Sequence, residues 1–131
     1  AARMPRFRLA LAVLWTLGIL LATTLPMGDV PDVDVSHFDK AVHFALFFGF
    51  GFLWMWALTL RIARRATLVL MVGAMGAFAT EGLQWLMAFE RTADLADGVA
   101  NLLGLVGGVG VFTLLHLMLT RATGPSARSA L

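Results

Sequence analysis

Four long apolar runs, at about 9–25, 41–60, 67–88 and 95–119, decide what this chain can fold into before any motif is read. Each has roughly the 17–25 residues that an α-helix needs to cross a hydrocarbon layer about 30 Å thick. Backbone amides in lipid must bond one another, so only helices and closed barrels can span it. A barrel would need alternating segments of roughly ten residues, and these runs do not alternate. With 60% hydrophobic and 14% charged residues, the chain also lacks the polar surface of a soluble domain. The expected fold is all-α: a polytopic four-transmembrane-helix bundle, one domain over residues 1–121, followed by a short polar tail over 122–131.

Arginine placement sets the orientation. Arg3, Arg6 and Arg8 precede the first run, Arg61, Arg64 and Arg65 separate the second from the third, and Arg121 and Arg128 follow the fourth. The other two connections hold Lys40 and Arg91 beside Asp29, Asp32, Asp34, Asp39, Glu90, Asp94 and Asp97. By the positive-inside rule both termini are expected in the cytoplasm and the acidic loops outside. The N-terminal run has a basic start like a secretory signal but lacks an obvious small-residue cleavage site, so an uncleaved first helix is expected.

The net charge of +2 does not indicate a nucleic-acid partner, because the basic residues sit in short flanks beside apolar runs. They read as topology signals and contacts for anionic membrane lipids. The chain has no cysteine, so disulfides and thiolate metal sites are excluded. Trp15, Trp54, Trp56 and Trp85 read as lipid-facing or interfacial anchors. Gly73 with Ala77 and Gly104 with Gly108 are small-residue pairs that let helices approach closely, within the chain or against a lateral membrane-protein partner.

The remaining polar residues gather at the outer ends of the runs, where a charge at membrane depth is costly and tends to serve function. The second helix is expected to begin near Ser36 or Asp39, with Asp39 and His43 four apart on one face. Glu81 and Gln84 lie near the outer end of the third, Glu81 roughly 10 Å in from Ala88 at about 1.5 Å per residue. Asp94 is a plausible cap for the fourth, and Asp97, Asn101, Gly104 and Gly108 continue along one face. If the second, third and fourth helices are neighbours, Asp39, Lys40, His43, Glu81, Gln84, Arg91, Asp94, Asp97 and Asn101 wall an outward-opening site.

Several uses of that site can be weighed. The residues could simply neutralise one another and fix helix register. His43 beside a carboxylate would make a general base, but no nucleophile motif accompanies it, so catalysis is not assigned. His43, Glu81, Asp94 and Asp97 offer metal ligands, yet no compact zinc spacing is present and Lys40 and Arg91 would repel a cation. No cofactor is called for. The outward starts of the second and fourth helices, with Lys40 and Arg91, favour an anionic group such as phosphate or carboxylate. A phosphate-bearing envelope lipid or glycan carrier is the sharpest expectation; the alternative is a non-catalytic accessory subunit of a larger membrane assembly.

The run Thr24-Leu25-Pro26, then Asp39-Lys40-Ala41-Val42-His43-Phe44, then Glu81-Gly82-Leu83-Gln84, and finally Arg91, Asp94, Asp97, Asn101, Gly104 and Gly108, resembles the VanZ-like membrane proteins. Order and spacing carry the resemblance, which covers roughly Val13 to Phe112. Where those proteins often place a tyrosine shortly after the histidine, this chain has Phe47 and Phe48 and no tyrosine at all. The resemblance implies a bacterial inner-membrane protein and an association with resistance to the glycopeptide teicoplanin, a phenotype that specifies no reaction.

Overall fold

The computed structural model describes residues 5–24, 35–86 and 95–124, which form α1 (Arg6–Thr24), α2 (Val35–Ala57), α3 (Ile62–Leu86) and α4 (Leu95–Ala122). All four are long and apolar enough to cross a membrane, over spans of 18, 20, 22 and 28 residues. Large apolar side chains such as Leu14, Leu21, Met75, Phe78, Leu103 and Met118 point outward along them. Water would not tolerate such a continuous apolar surface on a monomer, and lipid does. The chain is an all-α integral membrane protein.

The helices begin earlier than the apolar runs do. Arg6 and Arg8 lie inside α1, Arg64 and Arg65 inside α3, and α2 starts at Val35. Asp39 is therefore a residue of the helix body and not a cap, and the free amides of α2 lie a turn above it. The early α3 start has a use at the tight turn after α2. Arg65 donates from Nη1 to the Met55 carbonyl at 3.1 Å and from Nε to the Leu60 carbonyl. It thereby satisfies acceptors that the end of α2 would leave exposed to apolar surroundings.

The tightest packing is between α2 and α4, which are not consecutive in sequence. Cβ atoms built on Gly104 and Gly108 would collide with the carbonyl oxygens of Phe44 and Phe48, and one on Gly51 would lie 2.8 Å from the Leu105 carbonyl oxygen. Both numbers rise together along these contacts, so the two helices run parallel with their N-termini at the same end. Glycine is required where backbone meets backbone this closely. α3 closes the group: Leu105, 1% exposed, fills the space left by Gly73, and Ala77 is buried beside it. Both small-residue pairs thus face helices of this same chain.

α1 lies antiparallel against α2, fastened by tryptophans. Trp15 donates from Nε1 to the Leu46 carbonyl at 2.8 Å with its ring against Gly49, and Trp54 donates to Thr16 Oγ1 at 2.9 Å. Trp15 is exposed on the apolar surface, as expected of a lipid-facing indole, and both indoles also bond helix to helix, because an indole N–H at membrane depth needs an acceptor and the neighbouring helix offers one. Trp56 packs at the end of the bundle that holds the start of α1, beneath the Arg8 guanidinium and edge-on to Phe7. The Trp85 side chain, residues 25–34 and residues 125–131 of the tail lie outside the described residues.

Candidate functional site

The parallel packing of α2 and α4 brings their N-terminal ends together and with them the polar residues that the apolar runs carry there. His43 on α2 and Asn101 on α4, 58 residues apart, form a buried hydrogen bond of 3.0 Å between Nδ1 and Oδ1. Asn101 is 1% exposed and His43 7%. With an amide oxygen opposite it, Nδ1 carries the proton and donates. That bond fixes the ring plane and turns Nε2 toward two carboxylates, Asp39 Oδ1 at 3.7 Å and Asp97 Oδ2 at 3.9 Å. Asp39 sits one turn before His43 on the same face of α2, and Asp97 one turn before Asn101 on α4.

Asp97 falls in the first turn of α4, where unbonded amides and the positive dipole end favour an anion. Its side chain is 12% exposed, whereas that of Asp39 is 37% exposed, so the cluster communicates with the outside through Asp39. Glu81, half-buried on α3, lies against the first turns of α4, where a Cβ on Gly98 would be 3.8 Å from its Cγ. Lys40, half-buried, lies about 100° around α2 from Asp39. By helix rise, His43, Glu81 and Asn101 are all within roughly 12 Å of the ends of their helices, so the cluster occupies one end of the bundle.

Of the expected site residues, the structure unites Asp39, His43, Asp97 and Asn101, with Glu81 alongside and Lys40 on the next position of α2. Gln84 belongs to α3, but its side chain, like the whole of Arg91 and Asp94, lies outside the described residues. One contributor escaped the sequence reading: the Phe44 carbonyl is the floor against which Gly104 seats α4. Nothing in a sequence marks a particular carbonyl.

No family model matches the chain, and no solved structure matches it. Among characterised and uncharacterised proteins, it is similar to an uncharacterized protein of the fission yeast Schizosaccharomyces pombe, with 36% identity over 87 residues. The match covers 66% of this chain and 53% of the relative, so the chain spans about half the length of the protein it matches. That relative's description assigns it no activity.

Proposed function

We propose that the chain is a VanZ-like membrane protein that recognises, at the outer end of α2, α3 and α4, the phosphate-bearing head group of an envelope lipid or glycan carrier. The observation that supports this reading most is the buried His43–Asn101 bond with Asp39 and Asp97 at its open side. A buried imidazole–amide pair that opens through Asp39 is suited to a polar head group that arrives laterally while its tails stay in the bilayer. Lys40 and the outward N-termini of α2 and α4 supply positive potential around it. A link to glycopeptide resistance rests on the resemblance and on nothing in the geometry.

The same reading places the protein in a bacterial cytoplasmic membrane with both termini inside. The fission yeast relative indicates that similar helices also occur in a eukaryote. Because the chain has no native cysteine, single-cysteine variants test the topology cleanly. A cysteine at Pro31 is expected to react with an impermeant maleimide from outside in whole cells, and one at Arg64 only after the cytoplasm is opened. The reverse pattern would put the polar cluster on the cytoplasmic side and end the envelope-ligand reading.

Binding itself is tested on the purified chain by native mass spectrometry with a polyprenyl phosphate and with the corresponding polyprenol, which lacks the phosphate, as the comparison. Phosphate-dependent retention is expected, reduced at least tenfold in Lys40→Ala and in Asn101→Ala, with both variants still inserted because their helices remain apolar. Equal retention of both lipids by the wild-type chain would overturn the proposal.

A further inference from the structure

The cluster has a charge pattern that an anion alone does not explain. Asp39 and Asp97 converge on one nitrogen. Two carboxylate oxygens and an imidazole nitrogen that face one another form a donor set for a cation. Both oxygens lie beyond hydrogen-bonding distance of Nε2, at 3.7 and 3.9 Å, which leaves space among the three atoms. The His43 side chain is 9% exposed and aims this nitrogen into the space that the two oxygens border.

We propose that Asp39, His43 and Asp97 hold a divalent transition-metal ion, Mn²⁺ or Zn²⁺, and that its outward coordination positions receive the phosphate of the head group. The ligand atoms all lie within 4.8 Å of one another. A metal about 2.0–2.2 Å from each nitrogen or oxygen holds neighbouring ligands roughly 3.0–3.6 Å apart. The two His43 separations, 3.7 and 3.9 Å, need to close by a few tenths of an ångström, and no pair by more than about 1–2 Å, which carboxylate side-chain torsions can supply. One imidazole with two carboxylates is a nitrogen and oxygen set, which suits manganese and zinc better than calcium.

The surroundings fit the same use. A metal-bound histidine normally engages its other nitrogen with a fixed partner, and Asn101 does this for Nδ1 from the most deeply buried position of the cluster. The glycine contacts of Gly104 and Gly108 lock the two helices that carry the ligands, so the set is held before a metal arrives. Three protein ligands leave positions open, on the side where Asp39 reaches solvent. An absence of compact zinc spacing does not count against the site, since its ligands come from two helices. The metal deepens the head-group reading and rests on it for the phosphate, but metal binding stands or falls separately.

The test uses the full chain in lipid-free detergent, titrated with Mn²⁺ alone and followed by electron paramagnetic resonance of the free ion. One equivalent is expected to bind at micromolar concentration, with nitrogen modulation in the pulsed spectrum that His43→Ala removes. Asp97→Asn, nearly isosteric and so expected to preserve the fold, should weaken binding at least tenfold, and Asn101→Ala roughly 10–100-fold. No binding at millimolar Mn²⁺, or binding unchanged in Asp97→Asn and still nitrogen-modulated in His43→Ala, would overturn the metal site. A second arm adds a polyprenyl phosphate to the Mn²⁺-loaded chain. Mn²⁺ that binds as stated while the lipid fails to perturb its spectrum supports the metal site and overturns the head-group reading.

Discussion

Gly104→Val is expected to be the most damaging single substitution in the described part of the molecule, lowering stability by about 3 kcal/mol or more, at or beyond the upper end of ordinary overpacking. The obstacle facing the new side chain is the Phe44 carbonyl, a backbone atom inside a helix that cannot rotate away. Relief must come from separating α2 and α4, which sacrifices the packing of Gly108 on Phe48 and of Gly51 on Leu105 one turn further down. Because Asn101 is one turn above Gly104, the same separation stretches its bond to His43. Gly76→Ala and Gly110→Ala are the comparison, since a Cβ at either meets nothing within 4 Å. They should be neutral or gain up to about 1 kcal/mol from the better helix former. Unfolding of the purified proteins in mixed detergent, followed by helicity, measures all three; equal losses for Gly104→Val and Gly76→Ala would show that the α2–α4 contact is not the one that matters.

The helices were legible because membrane thickness leaves an apolar run of some twenty residues little choice. Their ends were less so. Arg6, Arg8 and Ser36 are polar and fall outside any hydropathic boundary, yet they continue a helix that protrudes beyond the hydrocarbon, where hydrogen bonding within the helix still pays. Gly104 and Gly108 announced a close contact, but a small-residue pair does not name its partner. That α2, and not the adjacent α3, fills that groove depends on the full packing of the bundle.

The site divides in the same way. Helical spacing alone put Asp39 with His43 and Asp97 with Asn101, each pair one turn apart on its own helix. Joining the pairs requires knowing that α2 and α4 are parallel and in a register that sets His43 opposite Asn101, a relation across 58 residues with no local trace. The bonds of Trp15 and Trp54 were not legible for a related reason. An indole looks the same in sequence whether its N–H meets the headgroup region or, as here, the Leu46 carbonyl and the Thr16 hydroxyl of a neighbouring helix.

A pair of substitutions separates a cluster kept for function from one kept for register. His43→Leu alone removes the group between Asp39 and Asp97 and strips Asn101 of its bond, leaving a buried amide and two facing carboxylates. Leaving the buried Asn101 amide without its partner costs about 1–3 kcal/mol. In the triple variant His43→Leu/Asp97→Leu/Asn101→Leu, every buried polar partner goes at once and apolar packing replaces it, which in other buried ionic groups is neutral or stabilising. Stability is therefore expected to return to within about 1 kcal/mol of the wild-type chain, provided the leucines fit the space between α2 and α4. A stable triple variant that no longer retains a polyprenyl phosphate would mean that the fold does not need these residues and the ligand does. If it instead unfolds more readily than His43→Leu, the imidazole, amide and carboxylates are what set α2 and α4 in register, and the head-group reading loses its main support.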